Sequence, residues 1–168
     1  MAAPSDAIDD LPRLASMGRT MLSMDESLMT TVHYYRGAKV VDFSGHWLPD
    51  RAALLWQGYL IAERVAELQA DSVAVSAEIW YAFQDEDQPG ISATDRQDRR
   101  EALSVQAVRS DGIARLVMVQ FSRVPDGSKV FDAPIAAETV MPVFKPLREL
   151  WGLRRWWILI DPAATTDC

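Results

Sequence analysis

The run from Gly45 to Phe83, GHWLPDRAALLWQGYLIAERVAELQADSVAVSAEIWYAF, constrains the fold more than any other stretch. It sets one long helix pattern directly before one long strand pattern. Pro49 suits a first helical turn, and Asp50 adds a negative charge where the helix dipole favours one. From Pro49 to Ala70, Leu55, Tyr59, Ala62 and Ala66 share a stripe, with Leu54, Ile61, Val65 and Leu68 beside it. Glu63, Arg64 and Glu67 form a narrow polar ridge. So wide an apolar arc predicts a helix packed against a sheet over most of its surface. After Asp71 the period changes to two. Val73, Val75, Ala77, Ile79, Tyr81 and Phe83 point one way; Ala74, Ser76, Glu78 and Trp80 point the other. The expected fold class is α+β, a central long helix packed on a mainly antiparallel sheet in a single domain.

The flanking sequence adds elements to that unit. Residues 1–10 are small and acidic and read as a flexible N-terminus, with the domain running over 11–160 and a flexible C-terminus over 161–168. Leu11, Leu14, Met17, Met21 and Leu22 recur at helical spacing up to Met24, with Gly18 weakening the helix. Met1, Met17, Met21, Met24 and Met29 read as fillers of an irregular core, or else as a plastic face for a partner. A hairpin over Met29–Phe43 turns at Gly37-Ala38 and carries His33 as a structural residue. Residues 84–100 form the longest loop, functional or mobile, in which Asp95, Arg96, Asp98 and Arg99 read as a solvated turn of offsetting charges.

EALSVQAVRS and IARLVMVQFSR flank Asp111-Gly112, the strongest hairpin signal in the chain. A two-residue type I′ loop there sets Ala107 opposite Leu116 and Val105 opposite Met118. Leu103, Val105, Ala107, Leu116 and Met118 would then share one buried face. Pro125-Asp126-Gly127 predicts a turn into a short KVF strand, and Lys145–Trp151 a short helix stopped by Gly152.

Composition narrows the functional classes. At 168 residues the chain can bury one substantial core. A net charge of -7 disfavours nucleic acid, whose affinity comes from clustered Lys and Arg. The single cysteine, Cys168, and two histidines leave no cysteine- or histidine-based metal site, and no cofactor is expected. Acids at the N-terminus and short apolar runs argue for a cytoplasmic protein with no membrane segment. Glycine-rich phosphate loops, the dinucleotide fingerprint, the nucleophile elbow and the zinc-protease helix are all absent from the sequence.

Three groups of residues remain as candidates. Gly45-His46 followed by Gly58-Tyr59-Leu60-Ile61-Ala62-Glu63 resembles the G-H-F-P … G-x-L-x-x-E segment of hot-dog-fold hydroxyacyl-thioester dehydratases. That resemblance implies a long helix wrapped by an antiparallel sheet. It also implies a hydratase, dehydratase or thioesterase acting on acyl thioesters, with His46 as base and Glu63 as acid. The second group is Glu78 and Trp80, same-side neighbours near Arg99 of the loop. Glu78 there is either an acid in a pocket or the ion-pair partner of an arginine. Glu78-Ile79-Trp80, the charged loop entering Glu101-Ala102-Leu103 and the Asp-Gly hairpin are together similar to small bacterial proteins, a likeness that implies no function. The third group is the tail, where Arg148, Trp151, Arg154, Arg155, Trp156 and Trp157 interleave the two residue types that dominate interaction hot spots. They could also stack on bases, or simply pack the tail with arginines turned outward. The leading expectation is a non-enzymatic binding or accessory protein. It would use the Glu/Trp face and the Trp/Arg tail toward a protein partner or a second copy; the thioester enzyme is the alternative.

Overall fold

Asp6 caps the first helix. Its Oδ1 accepts the backbone N–H groups of Ile8 (2.8 Å) and Asp9 (3.1 Å), two donors that a helix start otherwise leaves unpaired. Its Oδ2 pairs with Arg109 at 2.6 Å, which ties the cap to the sheet. In this computed structural model, which describes residues 6–24, 27–46, 51–82, 95–138 and 142–153, helix α1 therefore spans Ala7–Met24. Its first turn is packed, with Ala7 and Asp10 buried. Residues 7–10 belong to the helix, where the sequence reading left them in a flexible terminus.

Seven antiparallel strands follow: β1 (Thr30–Arg36), β2 (Lys39–His46), β3 (Ser72–Tyr81), β4 (Arg100–Arg109), β5 (Ala114–Arg123), β6 (Lys129–Phe131) and β7 (Ile135–Ala137). They form one sheet in the order β2-β1-β3-β4-β5-β6, and β7 takes the part of the β5 edge that β6 leaves open. Helix α2 (Arg51–Leu68) joins β2 to β3. A 3-10 turn at Pro142–Phe144 runs into helix α3 (Lys145–Leu150). The fold is α+β, as expected.

The sheet is covered on both faces. On one, Leu11, Leu14, Ala15 and Leu22 of α1 pack on Tyr35, Ala74, Leu103, Val105, Ala107, Val119 and Phe121. On the other, Ile61 and Val65 of α2, with Val143, Phe144 and Leu147, pack on Val32, Tyr34, Val73, Val75, Val108 and Ala114. The alternation of β3 thus serves two cores, because Ala74 belongs to the first and Val73 and Val75 to the second. Helix α1, not α2, lies across β3, β4 and β5, and the sheet does not wrap α2. Gly18 allows this seating: a Cβ there would stand 2.8 Å from a Leu103 methyl carbon.

Over residues 56–68, whose burial is described, helix α2 is buried along a narrow stripe, Gln57, Gly58, Ile61 and Val65, rather than over most of its surface. It stops at Leu68, where Gln69 takes a left-handed φ of 51°. The N–H of Ala70 donates to Val65 O (3.0 Å) and that of Gln69 to Ala66 O (3.3 Å), a helix-ending pair of bonds normally built on glycine.

The β4–β5 hairpin corrects the expected register. Leu103 pairs with Val119 and Val105 with Val117, and Ala107 stands opposite Arg115, not Leu116. The loop is Ser110-Asp111-Gly112, three residues instead of two, closed by Arg109 N–H to Ile113 O (2.9 Å) with Gly112 at a φ of 91°. A shift of one residue turns every β5 side chain to the opposite face. Val117, Val119 and Phe121 therefore meet α1, while Leu116 and Met118 lie on the other side.

Candidate functional site

The strand period of β3 puts Glu78 and Trp80 on the α1 side of the sheet, past the end of the apolar cluster. Glu78 is held at both oxygens. Oε2 accepts the backbone N–H of Leu28 (3.0 Å), and Oε1 takes Nη2 of Arg123 (2.9 Å). Arg123 also reaches Glu101 at 2.9 Å, so one guanidinium joins carboxylates from β3 and β4 to β5. Burial would lower the Arg123 pKa, but Glu101 and Glu78 outweigh it and hold the group above its ordinary value. Of the two roles open to Glu78, the structure shows the ion pair.

Trp80 keeps 44% of its surface exposed, and the Arg99 guanidinium lies 4.6 Å from its ring centroid. The two border a cleft of about 350 Å³ that Glu101, Phe121 and Asp132 also line. The loop charges before it are not simply solvated: Arg96 is buried and pairs with Asp98 at 2.7 Å.

The other sequence candidates lie on other elements. His46 is the last residue of β2, opposite Thr30. Glu63 stands exposed on α2, on the side away from the sheet. Gly58, part of the dehydratase-like segment, has a packing reason of its own: the chain at Val143 and Pro146 crosses directly over it. Trp151 is half-buried against the second core, with its N–H donating to Leu147 O (2.9 Å). Arg154, Arg155, Trp156 and Trp157 lie outside the described residues.

One exposed feature is absent from the sequence candidates, and one expectation is decided between its alternatives. On α2, Trp56, Tyr59 and Leu60 are 65%, 60% and 41% exposed, an i, i+3, i+4 set opposite the buried stripe. The wide apolar arc was its signal, but periodicity does not say which half of an arc the chain itself covers. On α1, Met17, Met21 and Met24 are exposed instead of filling the core, and Met17 Sδ accepts an Arg13 N–H (3.1 Å). Near them His33 is tucked in, stacked on Phe43 at 6.1 Å, with Nδ1 buried and unpartnered among the described residues. Burial, then the charge of Arg13, lowers its pKa, against an opposing pull from Asp10.

Among the described residues no cluster of His, Cys, Asp and Glu could hold a metal ion, and no helix is long and apolar enough to cross a membrane. Residues 1–158 match the family described as bacteriophage lambda protein ea47. That description names a phage protein, where the sequence reading found a likeness to bacterial ones. No curated protein and no solved structure matches the chain.

Proposed function

The chain belongs to the bacteriophage lambda protein ea47 family, and from its geometry we propose that it is a non-enzymatic binding or accessory protein. Its partner is another protein, met in the cytoplasm. The observation that supports this reading is the outer face of α2. Trp56, Tyr59 and Leu60 stand there in water, although burying a large apolar side chain is worth about 1.5–3 kcal/mol. Trp and Tyr dominate the centres of protein interfaces, and Glu63 and Glu67 on the same exposed side supply a polar rim. The Trp80–Arg99 pair is a second, smaller contact of the same kind, a rigid indole carrying a cation beside a cleft.

The test compares the wild type with the double variant Trp56→Ser/Tyr59→Ser, both used as bait in an extract of the native cell and both sized by light scattering. The expected result is a protein captured in near-stoichiometric amount by the wild type and lost with the variant, whose melting temperature is not lowered. A wild-type dimer that becomes monomeric in the variant identifies the partner as a second copy. A monomeric wild type that captures the same proteins as the variant overturns the reading. Trp80→Ala, run in parallel, tests the second contact by the same loss of capture.

A further inference from the structure

We propose that the cleft between α1 and the β5–β7 edge binds a small carboxylate with a straight aliphatic tail. Helix α1 sits on the sheet through its large residues, but toward this cleft it turns Pro12, Ala15 and Ser16, followed by Arg19, Thr20 and Ser23. Between these residues and the strands lies a cleft of about 520 Å³, within the range of small-molecule sites. Val117 and Val119 reach this face because of the one-residue register of the β4–β5 hairpin, and they form an aliphatic floor. Ala136 of β7, paired with Val117, extends that floor toward solvent. Among the described residues no aromatic ring lines the cleft, which favours a chain over a planar ligand.

One end is charged. Among the described residues Arg19 is the sole ionisable one of the lining, in a protein whose net charge is -7. Among the described residues it makes no ion pair, and its guanidinium is steadied over the Phe131 ring at 5.2 Å from the centroid. The hydroxyls of Thr20 and Ser23, also in the lining, donate to helix carbonyls at 3.1 and 2.8 Å, which leaves Arg19 as the strong donor of the site. A guanidinium that no carboxylate among the described residues pairs, in an aliphatic trough, matches a carboxylate head and an alkyl tail. One cation and no further donor cluster suits a carboxylate better than a phosphate.

The probe is decanoate, titrated into the full chain with the valine methyl signals followed by NMR, and decan-1-ol as the uncharged control. Saturable shifts at Val117 and Val119 are expected with decanoate, and much weaker ones with the alcohol. Arg19→Gln should weaken decanoate by about tenfold or more, the loss of one charge-assisted contact. Ala136→Trp, a surface change that fills the cleft, should abolish binding while the remaining methyl spectrum shows the fold intact. Absence of saturable shifts at those two valines overturns the proposal. So does equal binding of decanoate and decan-1-ol, or decanoate affinity unchanged in Arg19→Gln.

Discussion

Gly58→Ala is the substitution whose outcome depends most directly on the tertiary contacts. In an isolated helix it stabilises by about 1 kcal/mol, because glycine is the poorer helix former. Here an added Cβ would stand 3.3 Å from the Val143 carbonyl carbon, 3.4 Å from Pro146 Cδ, and nearer still to the Val143 carbonyl oxygen. A carbon rests at about 3.3–3.6 Å from such an oxygen, so the turn must retreat by about 1 Å. That turn carries Val143, Phe144 and Leu147 into the second core, all of them buried. Overpacking of a tight core costs about 1–3 kcal/mol, and a backbone obstacle belongs at the upper end or beyond. After the propensity gain is subtracted, the net loss is about 2 kcal/mol.

Urea denaturation followed by far-UV circular dichroism measures it, and the melting temperature should fall by about 4–8 °C for a chain of this size. Gly45→Ala is the control. Its Cβ would come within 2.5 Å of Met29 Cε, but that atom is the free end of a flexible side chain and can swing aside. The control should cost less than about 1 kcal/mol. A Gly58→Ala variant as stable as the wild type, or more stable, refutes the reasoning that α2 is seated by backbone contact with the Val143 turn.

Two further predictions concern buried polar atoms. Gln57 is 2% exposed, and neither its Oε1 nor its Nε2 has a hydrogen-bond partner among the described residues. Gln57→Met keeps the shape and removes an unsatisfied amide, so the urea midpoint should rise by the equivalent of about 1–2 kcal/mol; a fall means the amide is satisfied in solution. His33 is held below its ordinary value of 6.5, so near that pH the unfolded chain takes up a proton that the folded chain refuses. Stability is then fully present above that value and falls as the pH drops below it, levelling once the folded imidazole also protonates. Unfolding free energies at about pH 7.5 and about pH 5.5 should differ more for the wild type than for His33→Gln, and an equal drop in both dismisses the effect.

The elements were legible where backbone geometry speaks through neighbouring residues. The expected hairpin at Gly37-Ala38 is β1–β2, and the KVF run is β6. The expected strands at Ser72–Phe83, Glu101–Arg109 and Ile113–Arg123 are β3, β4 and β5 within two residues at each end. The candidate site was legible only in part. A same-face pair of Glu78 and Trp80 follows from a period of two, but nothing near either residue announces Leu28 and Arg123 as partners of that carboxylate. Strand β7 was missed because three residues, Ile135–Ala137, carry too little pattern to read.

What the sequence determined by itself is a list of helices, strands and turns, because side-chain period and turn residues are local consequences of φ and ψ. What only the tertiary structure decided is the assignment of surfaces. Apolar attraction has no direction, so a helix with as wide an apolar arc as α2 does not specify which stripe meets the sheet. Ile61 and Val65 went inward, and Trp56, Tyr59 and Leu60 stayed in water. Likewise one extra loop residue before Ile113 decided that Val117 and Val119, not Leu116 and Met118, would lie beneath α1 and floor its cleft. Such choices depend on contacts between residues far apart in the chain, and the physics that settles them is packing.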